Sequence, residues 1–207
     1  PTGVASSNLK LYLPMQEGVG SYAYDGSGNQ NHGTLDGATW STGNNQGYQN
    51  ALVRSNVPMI FDGSDDFVSI SNFQAIAQTS ASSNGYSIEV IFTPKTVAGW
   101  DGLVEWGDQS DSERRSLVIS NTSKLSVTHY SDNILGGTTL VAGTTYHGVC
   151  TVSSGGAVII YLNGSSDGTG TVTLTTFSGT TLYIGKTGSN EYFDGFLNEV
   201  AIWDKVL

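Results

Sequence analysis

The chain reads as an all-β protein, a sandwich or barrel of antiparallel strands. Apolar residues recur at every second position, turn-forming clusters interrupt these runs at regular intervals, and no long stretch keeps a helical period. The composition agrees, because 27 Gly, only 4 Pro and 13% charged residues among 207 suit strands joined by tight turns.

Taken in order, the first alternating run is residues 9–14. Residues 58–61 and 67–71 follow, flanking the turn Asp62-Gly63-Ser64. In the next run Tyr86, Ile88, Val90 and Phe92 share one face, and Ser87, Glu89, Ile91 and Thr93 share the other, the pattern of a half-buried strand. Residues 103–106, 116–120 and 124–130 continue the series, and 146–152 and 157–162 flank Ser153-Ser154-Gly155-Gly156. Asn163-Gly164 fits a tight hairpin, since both residues tolerate positive φ. Residues 182–185 and 193–203 complete the set, and 73–79 could form a short helical turn. Residues 34–57, rich in Asn, Gly and Gln, read as a long surface connection pinned by Trp40 and Tyr48.

No repeat, charge block or linker divides the chain, so residues 1–207 are expected to form one domain. Because Asp204-Lys205-Val206-Leu207 follows directly on a strand, that domain reads as a module of a longer protein. A formal charge of -10 argues against phosphate backbones and anionic membranes, so nucleic acid is not an expected partner. The longest apolar run, residues 157–162, is too short for membrane insertion, and no leader pattern opens the chain. Cys150, the only cysteine, sits between Val149 and Val152 and reads as a buried structural thiol. The sequons at Asn121 and Asn163 have meaning only in a eukaryotic secreted protein.

Two clusters carry chemistry. Residues 25–33 form a loop of oxygen donors and glycines, answered near the other end by Glu199. A hard cation such as Ca²⁺ takes six to eight oxygens, which Asp25, Asn29, Asn31 and Glu199 could supply together with the Gly28 carbonyl. The same residues fit an ordinary Gly/Asn turn, and His32 reads as a capping or packing group. The second cluster gathers Trp100, Trp106 and Tyr130 with Asp101, Asp108, Arg114, Arg115 and Asn133. Aromatic faces beside paired donors and acceptors suit glycans, although the tryptophans could equally fill the core. Arg114-Arg115 is the only adjacent basic pair, with Glu113 or Asp111 the expected salt-bridge partner.

Several segments in order resemble the concanavalin A-like, laminin-G-like jelly-roll superfamily: the loop at 25–35, Ile60-Phe61-Asp62-Gly63-Ser64-Asp65-Asp66-Phe67-Val68, the strand at 86–94, Ile160-Tyr161-Leu162-Asn163-Gly164, and Gly195-Phe196-Leu197-Asn198-Glu199-Val200. The resemblance implies a two-sheet antiparallel sandwich. It also implies a structural calcium, since members often hold one between the early loop and the last strand. Related folds include β-glucanases, but the Glu-x-Asp-x-x-Glu strand that would flank a glycosidic bond is absent. Glu89 stands alone, Glu105 and Asp108 lie three apart at a strand end, and His147 reads as a core or sheet histidine. No enzyme is expected. The expected function is a non-catalytic recognition module, carbohydrate-binding, in a secreted, cell-surface or virion-exposed protein. The alternative is a structural virion protein, such as a capsid decoration, neck or tail component, that uses the sandwich for protein contacts. Its partners would be a glycan or another protein, and a homo-oligomer or larger assembly is compatible with both readings.

Overall fold

The alternation in the sequence becomes two sheets whose apolar faces meet. The computed structural model describes residues 6–41, 58–73, 85–108, 113–129, 131–176 and 179–207. In chain order its strands are β1 (Leu9–Leu13), β2 (Tyr22–Ala23), β3 (Gly33–Asp36), β4 (Thr39–Trp40), β5 (Met59–Asp62), β6 (Phe67–Ile70), β7 (Tyr86–Pro94) and β8 (Asp101–Gly107). They continue with β9 (Arg114–Ile119), β10 (Leu125–Thr128), β11 (Asn133–Leu135), β12 (Tyr146–Val152), β13 (Ala157–Leu162), β14 (Ser165–Thr171), β15 (Leu182–Ile184) and β16 (Asp194–Trp203).

The first sheet runs β14-β13-β12-β7-β16-β5-β4, with β1 on the same side of β16 as β5. The second runs β11-β10-β9-β8-β15-β6-β3-β2. The pairings are antiparallel throughout, as expected of a jelly-roll sandwich. Ile88, Val90 and Phe92 of β7 and Leu117 and Ile119 of β9 are fully buried between the sheets. Cys150 lies there too, and burial pushes its thiol up to about 12, so it is an inert core group. No helix among the described residues is long and apolar enough to cross a membrane.

Turn chemistry fixes the register. Asn163 and Gly164 take φ values of 51° and 80° and join β13 to β14 as a tight hairpin. At Gly185, φ is 85° and an added Cβ would stand 2.3 Å from the Phe61 ring, so no larger residue fits there.

Two expectations are corrected. The 34–57 stretch is not one surface connection: it contributes strands β3 and β4, and Trp40 is buried with its indole N–H donating to the Gly20 carbonyl at 2.9 Å. Tyr48 and residues 42–57 lie outside the described residues, as does most of the expected helical turn at 73–79. Trp106, expected at a binding surface, is 1% exposed. Its ring meets Tyr86 and Phe73 edge-on at 5.3 and 6.1 Å, in the core. Replacing Trp106 by Ala should therefore cost about 3 to 5 kcal/mol in chemical denaturation. A loss under about 1 kcal/mol would contradict its place in the core.

Candidate functional site

Cross-strand partners share a face, so the registers trace a row across the outer face of the second sheet: Tyr183, Glu105, Ser116, Thr128 and Asn133. Glu105 would be an isolated buried charge here, at 1% exposure, without compensation. Arg114 Nε donates to one carboxylate oxygen at 2.5 Å and the Gly188 amide donates to the other at 2.7 Å, while the same guanidinium reaches onward to Glu191 at 3.3 Å. Residues 186–191 are held over the sheet in this way, with Thr187 Oγ1 donating to Glu191 at 2.8 Å.

Beside this network lies a cleft of about 270 Å³, lined by Trp100, Arg114, Thr128, Asn133, Ser189 and Glu191. A half-buried indole thus stands with a guanidinium, a carboxylate, an amide and two hydroxyls. Such a set binds a ligand that has both an apolar face and hydroxyl groups. On the other side of Gly188, a second cavity of about 260 Å³ is lined by Asp108, Thr180, Thr181 and Tyr183.

Of the sequence-predicted residues, Trp100 and Arg114 meet in one cleft and Asp108 faces its neighbour. Tyr130 and Asp111 lie outside the described residues. Arg114 is paired with Glu105 and Glu191, because register across β8 and β9 outweighs nearness in sequence, while Glu113 acts on Arg115. Arg115 is no surface contact. It points inward beside Trp106, is 4% exposed, and donates to the Thr175 carbonyl at 2.7 Å. Burial pulls its guanidinium down from the usual range, with Tyr86 and Glu113 acting against that shift.

The Asp25 loop closes on hydrogen bonds. Asp25 Oδ1 accepts from the amides of Tyr12 and Ser27, both at 2.9 Å, and Oδ2 accepts from Ser27 Oγ at 2.8 Å and the Asn31 amide at 3.0 Å. The side-chain amides of Asn29 and Asn31 donate to the β1 carbonyls of Leu9 and Lys10. Gly28 turns the chain at φ 91°, and His32 Nδ1 accepts from the Asp25 amide at 3.0 Å. Four donor hydrogens therefore face the carboxylate where a cation would stand, and this donor set does not fit a Ca²⁺ shell. Glu199 is bonded to the Tyr12 hydroxyl at 3.3 Å. Among the described residues, the carboxylates of Asp62, at the end of β5, and of Asp65 and Asp66, in the turn that follows, lie within 4.8 Å of one another.

The outer face of the first sheet brings together residues that the sequence left apart. Neighbours across β7, β12 and β16 align Glu199, Ile91 and His147 in one row, with Glu89 in the next. The irregularity between Leu197 and Glu199 leaves Asn198 and Glu199 both half-exposed, which turns Glu199 outward. His147 is the sheet histidine of the two places the sequence allows, and Glu89 is its partner: His147 Nε2 and Glu89 Oε1 are 2.6 Å apart, and the imidazole is 40% exposed. Burial and the neighbouring Glu89 raise the Glu199 carboxyl above its ordinary range, while the Tyr12 hydroxyl and His147 offset part of this. A shallow cavity of about 390 Å³ lies alongside, over Ile91 and Phe196.

Known proteins define the class. The chain belongs to the concanavalin A-like lectin/glucanases superfamily, whose laminin-G-like family model matches residues 62–207. Curated proteins gave no match. Among solved structures it is similar to domain 4 of AbnA, an extracellular arabinanase from Geobacillus stearothermophilus determined in complex with arabinotriose. That likeness has a TM-score of 0.70 and 18% identity over 97% of this chain and 94% of that one. The Trypanosoma rangeli sialidase, in complex with sialic acid, matches at TM-score 0.69 and 15% identity over 99% of this chain and 32% of the sialidase. The binding domain of botulinum neurotoxin DC, in complex with rat synaptotagmin II, matches at TM-score 0.66 and 13% identity, over 98% of this chain and 50% of that one. At these identities the likeness is one of fold, and this chain spans about a third of the sialidase.

Two outcomes follow from the geometry. Because Asp25 is satisfied by its own loop, the melting temperature should stay within about 1 °C in EDTA and in excess Ca²⁺, whereas an ion bound at a hundred times its Kd would add about 2.7 kcal/mol. A clear drop in EDTA, lost in Asp25→Ala, would restore the metal site. Asp101 is 7% exposed with its Oδ2 unpaired among the described residues, and burial, then Asp194 and Glu191, raise its carboxyl to about 6. A raised folded-state value favours the protonated form, so Asp101 costs stability progressively as pH rises from about 4 to about 6. Asp101→Asn should therefore be more stable than the parent at pH 7, by on the order of 1 kcal/mol after solvent screening, with the gain vanishing near pH 4. Comparison with the parent cancels His129, whose burial lowers it to about 3 and which titrates with the opposite effect. A gain that does not change with pH would refute this role for Asp101.

Proposed function

We propose that this domain is a non-catalytic carbohydrate-recognition module of an extracellular protein, and that it binds saccharide in the cleft on the outer face of the second sheet. One observation carries the reading: Trp100 stands in the same cleft as Arg114, Glu191, Asn133 and Ser189. The flat C–H face of a sugar ring packs on an indole, and its hydroxyls, which donate and accept, need partners of both kinds. Both are on offer. Arg114 Nη1 has no acceptor and Glu191 Oε1 no donor among the described residues. The arabinotriose complex of the similar arabinanase domain supports the ligand class.

Catalysis is not part of the proposal. Glycoside cleavage needs an acid and a base or nucleophile flanking one bond. Glu105 is buried against Arg114, and Glu89 is engaged by His147. The volume of the cleft lies just below the roughly 300 Å³ at which ligand pockets usually begin, which suits the end of a short saccharide.

Isothermal titration with oligosaccharides tests this directly. Arabinotriose is the first probe, and a broader neutral set follows. Trp100→Ala should weaken binding by about tenfold or more while leaving the melting temperature within about 2 °C, because the ring is only half-buried. Arg114→Ala would be a poor test, since it strands Glu105 without a counter-ion at a cost of about 3 to 5 kcal/mol. Unchanged affinity in a stable Trp100→Ala variant, or reducing sugar released by pure protein, would refute the proposal.

A further inference from the structure

We infer that the cleft selects uncharged sugars and turns away uronic and sialic acids, because two carboxylates, Glu105 and Glu191, flank Arg114, the one guanidinium among its described lining residues. The inference rests on the carbohydrate reading and names the substrate class. An arginine in a sugar cleft would ordinarily invite an anion, since its planar fork matches a carboxylate with two parallel bonds. Here that fork is already committed. Nε is bonded to Glu105 at 2.5 Å and Nη2 to Glu191 at 3.3 Å, which leaves the local sum at one negative charge.

Further acids neighbour the lining residues in sequence. Asp101 is adjacent in sequence to Trp100, and Asp132 to Asn133. Asp194 and Glu191 act on Asp101 as like charges. The one lysine in the loop that covers Glu105, Lys186, is directed elsewhere: its ammonium lies 4.1, 4.6 and 5.7 Å from the ring centres of Phe67, Tyr183 and Tyr192. Arg115 faces the core and is held by main-chain carbonyls. A ligand carboxylate would thus meet a guanidinium, Arg114, that two carboxylates already engage. A hydroxyl group would find Glu191 Oε1 as an acceptor and Arg114 Nη1 as a donor at no electrostatic cost.

The test uses matched pairs that differ only at their carboxyl groups: α-1,4-linked galactotriose against trigalacturonate, and the methyl ester of sialyllactose against sialyllactose itself, with arabinotriose as a neutral reference. Affinities are measured at about 50 mM and about 0.5 M NaCl, for the parent and for Glu191→Gln. This variant keeps an oxygen for Thr187 Oγ1 and removes one charge. The expected result at low salt is that each acidic member binds at least about tenfold more weakly than its neutral partner, the size of one unscreened like charge nearby. The gap should narrow to about threefold or less in Glu191→Gln, and also at high salt, where the screening length falls well below 10 Å. Acidic members binding as tightly as neutral ones at low salt would overturn the inference while leaving the carbohydrate reading intact. A gap that persists unchanged in the variant and at high salt would overturn it too, because exclusion would then be steric. If no member of any pair binds, the carbohydrate reading itself fails and the inference falls with it. Should Glu191→Gln prove unstable, the salt series on the parent protein decides alone.

Discussion

The buried pair of Glu105 and Arg114 is the constraint on which the functional face depends. An outer sheet face normally meets water, so a carboxylate at 1% exposure there must be matched in charge and in hydrogen bonds. Arg114 supplies the charge and Gly188 the second bond, and meeting both conditions fastens the middle of a loop whose ends are tied by the Lys186–Tyr192 bridge and by the Gly102 amide donating to the Glu191 carbonyl. Glu191 is then set where it both braces Arg114 and lines the cleft. The pair serves to position this loop more than to add stability, since an ion pair buried in this way gains little over a well-packed apolar one. Its loss would nonetheless leave an unpaired charge.

The two faces of the sandwich divide the chemistry. Inward residues form an aromatic and aliphatic core in which even the polar groups are sequestered, as where the Tyr86 hydroxyl meets His129 Nε2 at 2.8 Å. Outward residues carry titratable groups, and two of their networks cross the strands of a sheet. One joins Glu105, Arg114 and Glu191, and the other joins Glu89 with His147 and Glu199 with Tyr12. Both are products of strand register, and neither contains residues that are neighbours in the chain.

This explains what could be read from the sequence. Long strands buried on one face, β7 and β12 above all, state their period plainly, and Asn163-Gly164 announces its hairpin. Edge elements do not. β14 has the sequence SSDGTGT with no apolar side to betray it, and β2 and β4 are two residues long. At the site, Trp100 and Arg114 stood out because aromatic and charged residues crowd together locally, whereas Trp106 carried the same signal and belongs to the core. Place along the chain separates the two tryptophans: Trp106 lies within β8 on its inward face, whereas Trp100 precedes that strand. The partner of Arg114 is likewise hidden from the sequence: nearness favours Glu113, while the β8–β9 ladder sets Glu105 opposite Ser116 and so diagonal to Arg114. His147, Glu89 and Glu199 span 110 residues of chain and meet only through three paired strands.

The most direct test of the account is where saccharide lands. Two-dimensional NMR of the labelled domain during titration with a neutral oligosaccharide would report it through the indole N–H of Trp100, the guanidinium of Arg114 and the amides of residues 186–191. These signals are expected to shift together and saturably, while those of Ile91, His147 and Glu199 on the opposite sheet stay still. Perturbations confined to that opposite sheet, with Trp100 and residues 186–191 unmoved, would contradict the account.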